Sequence, residues 1–183
     1  MQNGQILKLY TRFTSRGVAY TELHNSVTNR LMQTTEHSII EDNVKIGANC
    51  RIWFGSHVRT GAKIGSGTSI GEHCFIDHDV YIGKNCKIQN GVQIYHGVVI
   101  GDNVFIGPNT TFCNDKYPDA VRDGFTLSET VILNEVSIGA GCTILPGLTI
   151  NSCITVGAGS VVTKTLDSRG STYYGNPARL EKE

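Results

Sequence analysis

The sequence predicts an all-β chain wound as a left-handed parallel β-helix of hexapeptide repeats, with one extended external loop. Three observations carry that expectation. Thirteen consecutive hexapeptides open on an apolar residue, at Ile40, Ile46, Ile52, Val58, Ile64, Ile70, Ile76, Ile82, Ile88, Ile94, Ile100, Ile106 and Phe112. A fixed short period marks a solenoid, and a six-residue period specifies a parallel β-helix. The fourth residue after each opener is small or modest in size, as at Val44, Cys50, Ser56, Ala62, Thr68, Cys74, Val80, Cys86, Val92, Val98, Val104 and Thr110. A large and a small inward side chain per repeat fill a narrow prism without voids. Gly follows many openers (Gly47, Gly65, Gly71, Gly83, Gly101, Gly107, Gly139, Gly157), where a Cβ would obstruct the backbone.

The elements follow from this period. Residues 1–36 do not keep the phase; QILKLYTRF reads as a strand and the segment after it as a short helix, together a cap or arm at the open end of the solenoid. The β-helix proper runs from 37 to 163. After Phe112 the phase slips, since Ile132 lies twenty residues on, and it resumes at Ile138, Ile144, Ile150, Val156 and Val162. The interruption 113–131, CNDKYPDAVRDGFTLSETV, is polar and holds Pro118, so it reads as an external loop on the binding face. The tail 164–183 leaves the phase again.

With 183 residues there is room for one ordinary domain. Sixteen basic and sixteen acidic residues cancel, which argues against a nucleic-acid surface or a polybasic membrane patch. No signal-peptide core or membrane span is apparent, and the expected location is the cytoplasm. Four of the six cysteines, Cys50, Cys74, Cys86 and Cys142, fall on the small inward position, where a free thiol packs as a compact hydrophobe. No CxxC pair is present, so reduced structural thiols are expected rather than a zinc site.

If three hexads make a coil, residues eighteen apart stack on one corner. The third hexad position then gives a polar column Thr60, His78, His96 and Asn114, running straight into the loop. A second corner reads Phe54, Glu72, Asn90, Pro108, and the third Ser66, Lys84, Asp102. Such positions are outward turns where Asn, Asp, Lys and His occur merely because they are solvated; two stacked His beside a long loop are what single out the first corner. Ala140 and Ala158 form another eighteen-residue pair, small enough for an extended ligand to lie against the backbone. Lys164 and Arg179 beyond them suit an anion.

These features resemble the hexapeptide-repeat acyltransferases, on the repeat itself, the loop after the thirteenth hexad, the run VGAGSVVTK at 156–164 and GNPAR at 175–179. The resemblance implies a homotrimer with acetyl-CoA as co-substrate, bound in grooves between neighbouring β-helices. It places the pantetheine arm along Ala140, Gly157 and Ala158, and the CoA phosphates near Lys164 and Arg179. Arg51-Ile52-Trp53, IQNGVQIY at 88–95, DNVFIGPN at 102–109 and FCNDKYP at 112–118 are similar to the nucleotide-sugar N-acetyltransferases. That subgroup acetylates the 3-amino group of a dTDP- or UDP-linked amino sugar for surface glycans. Related sugar O-acetyltransferases carry a His in the loop that serves as general base, and the stretch 113–131 contains none. Two departures stand out: Thr165-Leu166-Asp167-Ser168-Arg169 follows Lys164 in place of the usual acidic residue and prolines, and His96 follows Tyr95 where an acidic residue or Asn is expected.

An amine attacks a thioester without a strong base, but one proton must leave. The sequence reading gives that proton to His96, with Asn90 steadying the amine or the oxyanion. His78, Tyr95, Asn114, Asp115, Lys116 and Tyr117 are expected to shape the acceptor pocket, Lys116 facing the diphosphate. No metal is expected. Rival readings are a sugar O-acetyltransferase using His78 or His96, a zinc enzyme resembling the γ-carbonic anhydrases through His37, His73 and His78, and an inactive trimeric scaffold.

Overall fold

A computed structural model describes residues 7–13, 19–25, 30–35, 37–121, 124 and 126–181, with side chains from 37 onward. Every regular element among the described residues is a strand, most only two residues long. Each short strand places one side chain outward and the hexad opener inward, and the chain turns after it into the next face. The result is the left-handed β-helix the hexads predict, a triangular prism whose three faces are parallel sheets. Face A contains the strands ending at Ile52, Ile70, Ile88, Ile106, Ile138 and Val156. Face B contains those ending at Ile40, Val58, Ile76, Ile94, Phe112, Ile144 and Val162, and face C those ending at Ile46, Ile64, Ile82, Ile100, Ile132 and Ile150.

The register confirms the eighteen-residue coil: Ile76 pairs with Val58 below and Ile94 above, and Ile94 with Phe112. The openers are the core, with Ile76, Ile82, Ile94, Ile100, Ile106 and Phe112 all at 0 % exposure. Between them lie the expected small residues, including Cys50, Cys74, Cys86 and Cys142, all buried free thiols. Ser56 and Thr68 are buried there too, and each hydroxyl donates to a carbonyl of the same corner on the next coil, Ser56 to Gly71 and Thr68 to Gly83. A buried hydroxyl with a partner avoids the cost of an unpaired one.

The phase slip has a simple geometry. Ile100 pairs with Ile132, thirty-two residues on rather than eighteen, so the loop inserts fourteen residues and the prism continues undisturbed. At the far end Leu166 is fully buried and bridges Ile150, while Thr172–Tyr174 adds to face A beside Thr155–Val156. The chain then turns back, and Tyr173 and Tyr174 pair antiparallel with Leu180 and Arg179. The tail therefore closes the top of the solenoid.

The N-terminal segment departs from expectation. Among the described residues the segment after the first strand is strand rather than helix; β1 (Leu7–Phe13), β2 (Ala19–Asn25) and β3 (Arg30–Thr35) form an antiparallel meander, and β3 pairs parallel with Arg51–Ile52. The Thr- and Tyr-rich segments favour strand, and the open edge of face A offers a ladder to join. No helix among the described residues is long and apolar enough to cross a membrane.

Candidate functional site

The corner after face B carries the polar column, because residues eighteen apart are stacked by the ladder beneath them. His78 and His96 stack ring on ring, with centroids 4.0 Å apart and planes within 10°. Asn114 follows on the next coil, at the root of the loop. The loop's returning limb lies over the same corner. A Cβ added at Gly97 would stand 2.7 Å from Leu127 Cδ1, and Thr130 N donates to Gly97 O at 2.9 Å.

Both imidazoles are tied inward through Nδ1. His78 Nδ1 lies 2.8 Å from Asp77 Oδ1, and His96 Nδ1 lies 3.0 Å from the carbonyl oxygen of His78. A carbonyl only accepts, so Nδ1 of His96 carries the proton; a carboxylate beside Nδ1 selects the same tautomer for His78. Each neutral ring then presents an unprotonated Nε2, the form a proton acceptor needs.

Asp77 is the residue the sequence reading missed. It sits one position before His78 and is only 6 % exposed, an unusual place for a carboxylate. Its oxygens accept from His78 Nδ1 (2.8 Å), His78 N (2.7 Å), His96 N (3.2 Å) and Arg59 Nη1 (2.8 Å). Burial alone would raise its pKa; the hydrogen bonds from the ring and backbone of His78 and the backbone of His96, with the charge His78 carries when protonated, outweigh burial and hold it below the ordinary carboxylate value. The available signal was the unbroken run Asp77-His78-Asp79 on one turn, with Arg59 eighteen residues earlier.

The other predicted residues fall in three places. Tyr95 joins this corner, its ring 5.6 Å from Phe75. Asp115, Lys116 and Tyr117 begin the loop: Asp115 Oδ1 accepts from Tyr117 N at 3.0 Å, and Lys116 Nζ lies 5.7 Å from the centre of the Tyr117 ring. Asn90 is not brought to His96 within one chain. It stands on the corner after face A, where its Oδ1 accepts from Glu72 N at 3.0 Å. Ala140 and Ala158 stack on that same corner, both exposed, with Gly159 N donating to Ala140 O at 2.8 Å. Gly139 and Gly157 hold the coils in close approach beneath them; a Cβ on Gly139 would lie 2.5 Å from Ala158 N. The turn at Gly175 caps this corner, Val161 N donating to Gly175 O at 3.0 Å, and exposed Arg179 follows it. Lys164 is exposed at the top of the histidine corner instead.

His78, Asp79 and His96 place potential metal ligands within 4.8 Å of one another. The stacked planes do not suit a shared ion. In-plane lone pairs on rings 4.0 Å apart do not converge, and an ion at about 2.0–2.1 Å from both nitrogens would lie far out of each plane. His73, by contrast, lies on the other corner, edge-on to Phe54 with centroids 5.5 Å apart.

The six-repeat family model of the bacterial transferase hexapeptide matches residues 43–78 and 79–114, within the parallel β-helix of hexads. A comparison with curated proteins found no match. Among solved structures the chain is similar to PerB from Caulobacter crescentus, solved with CoA and GDP-perosamine, at 21 % identity and a TM-score of 0.53, covering 82 % of this chain and 57 % of that one. It is similar to the acetyltransferase domain of PglB from Neisseria gonorrhoeae, at 18 % identity and a TM-score of 0.56, covering 82 % and 57 %. A third is a serine-to-alanine mutant of AntD, an N-acyltransferase from Bacillus cereus solved with dTDP-4-amino-4,6-dideoxyglucose and coenzyme A, at 22 % identity and a TM-score of 0.56, covering 85 % and 81 %. The chain thus spans a little over half the length of the PerB and PglB chains, and at these identities the likeness establishes the shared fold.

Proposed function

We propose that the protein is an acetyl-CoA-dependent N-acetyltransferase acting on the amine of a nucleotide-linked amino-deoxy sugar, in the synthesis of a surface glycan. The observation that carries this reading is the stacked pair His78 and His96 beside the loop, each tied by Nδ1 so that Nε2 is the nitrogen left to meet a substrate. The complexes of PerB and AntD with coenzyme A and nucleotide amino sugars support the choice of substrates. The sequence runs at 88–118 point to a 3-amino dTDP or UDP sugar, whereas the AntD complex holds a 4-amino sugar; a panel containing both decides the position.

The neutral amine attacks the thioester carbonyl, the new C–N bond forms as the C–S bond breaks, and the amine's proton passes to an imidazole Nε2. The sequence reading gives that role to His96 and substrate contact to His78. The hydrogen bonds favour exchanging them, because His78 leans on a buried carboxylate that fixes its tautomer and steadies the cation formed on protonation, as an acid–base pair requires. His96, tied only to a carbonyl, then orients the substrate with Tyr95, Asn114 and the loop residues Asp115, Lys116 and Tyr117.

A homotrimer completes the site in this reading. Ala140, Ala158 and Asn90 occupy one corner of the prism and the histidines the next. Asn90 and His96 are one hexad apart and so stand within about a third of a coil in height. Three parallel prisms around a common axis bring one corner of each chain against the adjacent corner of its neighbour, so the pantetheine arm lies along Ala140, Gly157 and Ala158 of one protomer and faces the histidines of another. Lys164 and Arg179 meet the CoA phosphates, and the buried free thiols suit the reducing cytoplasm.

The test is thiol release from acetyl-CoA with 3-amino and 4-amino sugars linked to dTDP, UDP and GDP, alongside their hydroxyl counterparts. Release with an amino sugar alone is expected. Release with the hydroxyl sugars reassigns the enzyme to O-acetylation, and silence across the panel refutes the acyltransferase reading.

A further inference from the structure

The ionic network does not stop at Asp77. Arg59 lies one coil below it in the same column; its Nη1 donates to Asp77 Oδ1 at 2.8 Å, the same oxygen that receives His78 Nδ1. On its other side Arg59 Nε lies 3.6 Å from Glu41 Oε1. Glu41 is itself clamped: Oε1 is 2.7 Å from His57 Nε2 and Oε2 accepts from Thr60 N at 2.9 Å. The hydrogen bond from Thr60 N, and next that from His57, hold Glu41 below the ordinary carboxylate range. The chain Glu41–Arg59–Asp77–His78 thus spans three coils of one corner, and its only nearly buried charge is the carboxylate in the middle, at 9 % side-chain exposure against 39 % for Arg59 and 31 % for Glu41.

That pattern has a physical reading. A carboxylate removed from water is costly unless paired, and the pairing of Asp77 is shared between a cation and the imidazole it orients. Arg59 has the fixed fork needed to face two carboxylates at once, which a lysine ammonium lacks. Held by Glu41 from below, it pins Oδ1 where His78 Nδ1 can reach it.

We infer that Arg59, anchored by Glu41, is a positioning residue that sets the tautomer and orientation of His78 through Asp77. The inference rests on the proposal that His78 is the proton acceptor, and its test separates the two. The full-length protein would be compared with R59M, R59K, E41Q and H78Q. The first readout needs no catalysis: the nitrogen-15 spectrum of the imidazoles, with the His78 signals assigned by their loss in H78Q. His78 in the wild type should show Nδ1–H and an unprotonated Nε2, and R59M should show tautomer averaging. The second readout is steady-state kinetics, where R59M should lower kcat about tenfold with the acceptor KM unchanged within about twofold, roughly the loss of one charge-assisted hydrogen bond. R59K and E41Q should fall between the two. An R59M protein that keeps the wild-type tautomer overturns the inference, whatever its activity. If H78Q is as active as wild type, the proton-acceptor assignment fails, and the tautomer measurement still decides whether Arg59 controls the ring.

Discussion

Gly139 is one of the positions where a single methyl group should cost a great deal for its size. It needs no unusual backbone dihedral; what excludes a side chain is the next coil, because a Cβ there would lie 2.5 Å from Ala158 N, 2.7 Å from Ala158 Cα and 3.0 Å from Gly157 C. Ordinary van der Waals contact begins near 3.4 Å, so Gly139→Ala must part the two coils locally by almost an ångström. Two ladder bonds span that gap, Gly139 N to Val156 O at 2.7 Å and Gly159 N to Ala140 O at 2.8 Å. Weakening both costs about 2 kcal/mol at about 1 kcal/mol each, and residual overpacking adds about 1–3 kcal/mol. For a chain of this length about 2–4 °C of melting temperature follows each kcal/mol, so Gly139→Ala should melt about 10 °C below wild type at equal protein concentration. Gly159 supplies the contrast. Its φ is +70° and a Cβ there meets nothing within 4 Å. Gly159→Ala should therefore cost only the left-handed strain, about 1 kcal/mol. Gly159→Asn should be nearly silent, since Asn43, Asn49, Asn85, Asn103 and Asn109 hold φ between 55° and 62° at equivalent turns. Calorimetry or circular dichroism of the three variants measures the order. A Gly139→Ala melt within about 2 °C of wild type, or one milder than Gly159→Ala, would refute the close-approach argument.

Two further outcomes follow from the site. Asp77 has a folded pKa below its unfolded value, so its ionisation stabilises the fold above the unfolded pKa and that contribution is lost as pH falls through the folded one; denaturant melts between about pH 6 and 2 should show Asp77→Asn flattening the acid limb of the wild-type curve, and an unchanged limb would remove Asp77 as its source. On the other corner, Ala158→Leu should raise the KM for acetyl-CoA more than tenfold while leaving the melting temperature within about 2 °C, because Ala158 is exposed and its neighbourhood is proposed to receive the pantetheine arm; a wild-type KM moves the cofactor elsewhere.

The fold was almost wholly legible because hexad phase is a local signal repeated many times. Ile76, Ile94 and Phe112 each report the same inward direction, and the ladder stacks them where the arithmetic of eighteen predicts. The stack of His78 on His96 was legible by the same arithmetic. The N-terminal meander was not, because its strands are defined by antiparallel neighbours and by a pairing with Arg51–Ile52 that no period announces. Asp77 was missed because its hexad position is ordinarily a solvated turn; only burial beneath His78 and His96 distinguishes it from Asp79 two residues later.

The sequence by itself determined the solenoid, its coil length, the place of the loop and which residues share a corner, since in a periodic structure position modulo eighteen is direction. Tertiary structure alone decided what those side chains do to one another. Which nitrogen of each imidazole is tied and which carboxylate is withdrawn from water both depend on distances of a few ångströms and on burial. Hydrogen bonding and desolvation act at that range, and a repeat pattern carries direction without carrying distance.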